Sequence, residues 1–134
     1  MSQENVKIVT RYLSRARDSP EEVWGIFDDD VEWDLAGIPS APDFPRISRG
    51  PDAVREFFRR WAGAFCDWDF EVEELIQGPG VVAVRIHQWG RGKSSGIEVD
   101  ARFWQIWTMR DGKAIRVTHS EERAEAFKAA GLSE

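Results

Sequence analysis

The chain has only two histidines. One of them, His119, stands in "RVTHSEERAEAF" with Glu121 and Glu122 close behind it. An imidazole titrates near neutrality, and a neighbouring carboxylate can orient it, so this stretch could take and return a proton. The alternative is a histidine in a pocket wall with both nitrogens hydrogen-bonded. Glu121 could orient the ring, or pair with Arg102 and favour the positive end of a final helix capped by Ser120. Glu122 reads as solvated. Tyr12 could donate to a developing oxyanion or be an ordinary residue of an amphipathic helix. Asp34, where a strand runs into a long loop, could be a base or a solvated rim group. His87 is out of phase with Val84 and Ile86 and should lie outside any cavity. Two widely separated histidines make no convincing metal site, so no metal or other cofactor is expected.

The elements that must position these groups are legible in part. A first helix is expected over about 3–16, with Val6, Val9 and Leu13 on one side. "SPEEVWGIF" opens a second at Ser19-Pro20, ending near Phe27. Val31, Trp33 and Leu35 alternate as a short strand. Residues 36–50 hold three prolines and two glycines and form a loop, functional or loose. Pro51 then starts a helix with Val54, Phe57, Phe58, Trp61 and Phe65 on one face. Everything after residue 67 reads as antiparallel sheet, with a bulge expected near 73–75, where Glu74 and Leu75 break the alternation.

"RDGK" is a two-residue hairpin turn at Asp111-Gly112. Counting back from it, Ile106 faces Val117, Trp104 faces His119 and Arg102 faces Glu121. One face then carries an apolar floor, Ile106 and Val117, beside a polar-aromatic group. The other carries Gln105 and Trp107, suited to a subunit contact. A slip of one residue would exchange the two faces.

At 134 residues the chain fits one domain, 1–134. A net charge of −6 with scattered arginines argues against a nucleic-acid partner. No apolar run is long enough to span a membrane and no secretory segment opens the chain, which reads as intracellular and cytoplasmic. The single cysteine, Cys66, reads as a small buried hydrophobe. Seven Trp and eight Phe against one Tyr imply a large half-open apolar surface, either a pocket or an interface.

The phrases "VWGIF", "DDDVEWDLAG", "GPDAVREFFRRW" and "IWTMRDGKAIRV…EERAEAFKAAGL", in the order helix, helix, strand, helix, sheet, resemble the SnoaL-like group of the nuclear transport factor 2-like superfamily. That superfamily includes ketosteroid isomerases and limonene epoxide hydrolases. The resemblance covers nearly the whole chain. It implies an α+β, cystatin-like cone: a curved antiparallel sheet wrapped around N-terminal helices, with a cavity for a hydrophobic small molecule and homodimerisation through the outer surface of the sheet. Tyr12 matches the oxyanion-stabilising tyrosine of the isomerases. Their general base falls at Leu35, one past Asp34, and their second oxyanion acid at Trp104. Glu121 or Glu122 matches the acid at the end of the last strand in the polyketide cyclases. Asp100, Arg102 and Glu121 have the chemistry of the epoxide hydrolases' Asp-Arg-Asp in a different order.

The expectation is therefore cofactor-independent acid–base catalysis of isomerase, cyclase or hydrolase type. Its groups would be His119, Glu121, Tyr12, Arg102 and Asp34, in a pocket lined by Trp104, Phe57, Phe58, Trp61, Ile106, Val117, Val84 and Ile86. The competing class is a non-catalytic small-molecule binding protein with the same cavity.

Overall fold

The computed structural model describes residues 2–15, 24–35 and 46–131. Helix α1 (Ser2–Arg15) precedes a 3-10 turn at Trp24–Ile26 that leads straight into β1 (Phe27–Asp34). Then follow β2 (Ile47–Arg49), α2 (Pro51–Ala64), β3 (Phe65–Gly78), β4 (Val81–Gly92), β5 (Glu98–Arg110), β6 (Lys113–Ser120) and α3 (Arg123–Ala129). The start expected for a second helix at Ser19-Pro20, and most of the long loop, lie outside the described residues. The strand after them is longer than expected, because Phe27 already belongs to it.

The six strands form one curved sheet in the order β2-β1-β6-β5-β4-β3. The sheet is mixed rather than wholly antiparallel, since β1 runs parallel to β6, and it does not close. Helices α1 and α2 pack on its inner face. The spacing of Val9, Tyr12 and Leu13, and of Val54 and Phe57, turns one side of each helix inward, where these residues are buried. They meet Phe27, Val31, Trp33, Val82, Val84, Ile86, Phe103, Trp107 and Val117 in the main core. The bulge expected in β3 is present: Val72 pairs with Ile86 and Glu74 with Arg85, leaving Glu73 as the extra residue. Among the described residues no helix is long and apolar enough to cross a membrane.

The last hairpin turns where expected. Arg110 pairs with Lys113, and Asp111 and Gly112 have φ of 52° and 78°, the positive pair of a type I′ turn. Beyond it the expected register fails. Met109 pairs with Ala114 but Thr108 with Arg116, so Ile115 is an extra residue. This bulge moves every later pair by one and exchanges the faces. Trp104 faces Ser120, Gln105 faces His119, and Trp107 faces Val117.

Trp104 and Ile106 are therefore on the outer face, in a second small core with Ala83 and Ala126. They are not lining for an interior site. Gln105 and Trp107, expected at a subunit contact, are buried in the interior instead.

The cover over the outer core is α3, whose Arg123 guanidinium lies 5.5 Å from the Trp104 ring centre and pairs with Glu74. Ser120 is not the cap of this helix. Its Oγ accepts from the Glu122 N–H at 3.0 Å, one turn earlier, and Glu122 occupies the capping position.

The helix ends against β3 so closely that a Cβ on Gly78 would lie 2.0 Å from the Ala130 carbonyl oxygen. Both atoms belong to positions fixed by backbone, so no rotamer relieves the clash. Gly78→Ala should lower stability by about 1–3 kcal/mol by lifting the end of α3. Gly63→Ala, on an exposed turn of α2 with nothing within 4 Å of the added carbon, should raise it by about 0.5–1 kcal/mol. Thermal denaturation of the pair checks both signs. An unchanged melting temperature for Gly78→Ala would mean α3 is not docked there.

Candidate functional site

Four residues of the inner face are joined in one chain of hydrogen bonds. His119 Nδ1 lies 2.8 Å from the backbone oxygen of Asp34 on the neighbouring parallel strand. A carbonyl can only accept, so Nδ1 bears a proton and a neutral ring leaves Nε2 as the acceptor. Gln105 Nε2 is 3.3 Å from that nitrogen and donates to it. Trp107 Nε1–H donates at 2.9 Å to the other end of the same amide, Gln105 Oε1. The order Trp107, Gln105, His119, Asp34 is therefore a relay in which each hydrogen bond runs in one fixed direction.

Its surroundings are aromatic. The Trp33 and Phe103 ring centres lie 5.1 and 5.7 Å from that of His119. Tyr12 packs 4.8 Å from Trp107 and Phe58 lies 4.8 Å from Trp33. Desolvation by this wall pushes the His119 imidazole down to about 4, against weaker upward contributions from the Asp34 backbone bond and the Asp34 charge. The ring is thus neutral across the physiological range. Burial also raises the Tyr12 hydroxyl well above its ordinary value, which keeps it a neutral donor.

Two further polar groups sit on this side. Gln88 is buried and accepts from Trp68 Nε1–H at 3.3 Å. Trp33 Nε1 is buried and has no hydrogen-bond partner among the described residues. Gln88 follows the parity of Val82, Val84 and Ile86 by one more step, so strand alternation alone could have found it. Gln105 and Trp107 could not be found that way, because the unmarked bulge at Ile115 put them on the wrong face.

The other expected site residues are divided. Val84, Ile86, Val117 and Phe57 are buried on the inner face, with Phe58 and Trp61 half-buried beside them. The Asp34 carboxylate is largely buried, 3.6 Å from Arg46 Nε. Glu121 is exposed and is not a partner of His119.

Arg102 is on the outer face, where its Nε donates to Glu73 at 3.1 Å. There it joins His87, whose nitrogens lie 3.2 Å from Glu71 and 3.0 Å from Asp100. Carboxylates only accept, so both contacts favour the doubly protonated ring. The Glu71 bond, more than the Asp100 bond, raises His87, against desolvation and the Arg102 charge. Glu71, Glu73 and His87 bring donor atoms within 4.8 Å of one another, but Arg85 and Arg102 already pair with Glu73. The expected cluster of His119, Glu121 and Arg102 is thus separated across the sheet: an interior relay on one side, a charge-paired patch on the other.

No curated protein sequence matches the chain. Solved structures match its fold along nearly the full length. A Jannaschia sp. CCS1 protein, provisionally assigned as a SnoaL-like polyketide cyclase, superposes with a TM-score of 0.76 at 17% identity, covering 99% of this chain and 95% of that one. An NTF2-like protein of unknown function from Burkholderia pseudomallei gives 0.76 at 20% identity, with 97% and 98% covered. TerC, co-crystallised with polyporic acid, gives 0.73 at 21%, with 96% and 98% covered. At these identities the likeness is one of fold. The model of the SnoaL-like domain matches residues 9–117, from the inward face of α1 to the middle of β6, and the chain belongs to that family.

Proposed function

We propose that the inner face takes up a hydrophobic small molecule and acts on it by cofactor-independent acid–base chemistry, with neutral His119 as the proton acceptor. The observation that carries this reading is the His119 ring itself: buried among aromatic side chains, held in one tautomer, with its lone pair on Nε2. Tyr12, as a neutral phenol on the same side, is the group suited to stabilising negative charge on the ligand. Asp34 supports His119 through its backbone oxygen. Reactions of the isomerase or cyclase type need no more than such a set, and the similarity to a provisional polyketide cyclase fits them.

A second reading, binding without catalysis, is favoured by one specific observation. A nitrogen whose conjugate acid lies near 4 is a weak base at neutral pH, where a general base works best when its pKa is close to the ambient value. We also expect a cytoplasmic homodimer joined through the outer surface of the sheet, without Gln105 or Trp107 in the contact. Sedimentation at rising concentration tests that assembly.

The two readings part in one experiment. Protein purified from its native host is screened by mass spectrometry for a retained apolar ligand. That ligand is then incubated in D2O with wild type and with His119→Gln. Deuterium entering a carbon position, slowed by roughly 100-fold or more in the variant, supports catalysis. Binding without exchange gives the second reading. Failure to retain or bind any apolar molecule overturns both.

A further inference from the structure

We propose that Trp107 and Gln105 are positioning residues that hold His119 in its neutral, Nδ1-protonated tautomer with the Nε2 lone pair engaged by the amide, so that any proton this nitrogen takes in a reaction must first displace the amide. The word "reaction" rests on the functional reading above, but the polarity of the relay does not.

Hydrogen-bond directions fix the arrangement. A primary amide has a donor end and an acceptor end, and Gln105 could in principle present either to His119. Its acceptor end would suit a protonated ring and its donor end a neutral one. The choice is made by Trp107, whose indole nitrogen can only donate and lies 2.9 Å from Oε1. Turning the amide over would set its NH2 against the indole N–H and leave two buried donors facing each other. The amide therefore keeps its donor end on Nε2, 3.3 Å away, and a proton arriving on Nε2 would meet another N–H. At the far side of the ring, the Asp34 oxygen needs the hydrogen on Nδ1. Both ends of the relay demand the same tautomer. Among the charged groups on the strands packed against His119, Asp34 of β1 is the one whose field reaches the ring. The β5 neighbours, Phe103 and Gln105, carry no charge. The Trp107 indole thus determines, through the amide, which tautomer the imidazole holds.

The test is nitrogen NMR of the His119 side chain in the unliganded protein, so its failure is distinguishable from a failure to bind or turn over a ligand. Wild type at neutral pH should show the proton on Nδ1 and a bare Nε2. Gln105→Glu keeps the shape but offers acceptors at both ends, so it should draw a second proton onto the ring. The titration midpoint should rise by about one pH unit or more, roughly tenfold in proton affinity. Trp107→Phe removes the N–H together with one ring of the buried indole, frees the amide to turn, and should raise the midpoint in the same direction. His87, on the opposite face, is the internal control and should not move. A structural role alone would lower the stability of both variants and leave the midpoint in place, and that result overturns the proposal. So does a proton on Nε2 in wild type, a measurement that requires no variant to fold.

Discussion

Trp107→Ala is expected to cost about 3–5 kcal/mol, the range for emptying a large aromatic site that neighbours cannot refill. The side chain is fully buried, with ring centres of Tyr12, Phe27 and Trp33 at 4.8, 6.0 and 6.1 Å. Those three rings come from α1 and β1, so one deletion loosens both the helix cover and the parallel edge of the sheet. The indole N–H also leaves Gln105 Oε1 without its donor. A domain of this size has a margin of order 5–15 kcal/mol, so the variant should remain folded only weakly. Urea denaturation measures the loss, and its dependence on protein concentration separates two locations for the residue. A core position gives the same loss at every concentration. A subunit contact would give a loss that shrinks as the protein is concentrated. A cost below about 1 kcal/mol would contradict the packing described here.

Why the sequence put Trp107 on the wrong face is visible in two neighbouring strands. "ARFWQIWTM" is apolar on both parities, so it offers no alternation against which a register can be checked. The facing "KAIRVTH" has apolar residues at both 114 and 115, and alternation counted from Ile115 is as good as a bulge that turns Ala114 inward. The bulge at Glu73 was legible because a carboxylate interrupted a clean apolar series. Helix α2 was legible because Val54, Phe57, Phe58 and Trp61 share one face; Phe65, expected to continue it, already begins β3. In each case a polar residue marks the error or an apolar stripe marks the answer, and β5 has neither.

The C-terminal helix was expected, but its docking on the outer face was hidden for a different reason. Its docking face is made of Ala126 and Ala130, whose small side chains give a weak apolar stripe but allow the approach to Gly78. Sequence reasoning that allowed the helices only one face of the sheet therefore left the outer face bare. The site followed the register. His119 was recognised from its type alone, and its real partners, Gln105 and the Asp34 backbone, were not.

Between pH 6.5 and 4 the protein should lose stability through His119, and His119→Gln should flatten that loss. The folded ring is held near 4 while the unfolded one titrates at its ordinary 6.5, so the unfolded chain binds the extra proton across this window. Stability from this group is therefore complete above 6.5, falls as pH drops, and levels off below about 4. The interval corresponds to about 3 kcal/mol, an order-of-magnitude figure for a fully buried ring. His87 acts in the opposite sense. Its folded value is raised by Glu71 and Asp100, so what it contributes is present at low pH and fades as pH rises through that raised value. The two histidines can thus be told apart by the limb of the profile each controls. Carboxylates add their own acid limb, so the useful quantity is the difference between variant and wild type in urea midpoint, point by point along pH. His119→Gln should start lower at neutral pH, having lost its fit to Gln105 and Asp34, and should converge on wild type towards pH 4. Curves that stay parallel down the acid limb would mean that the ring takes up its proton without hindrance, and that the interior around it is wetter than its aromatic wall implies.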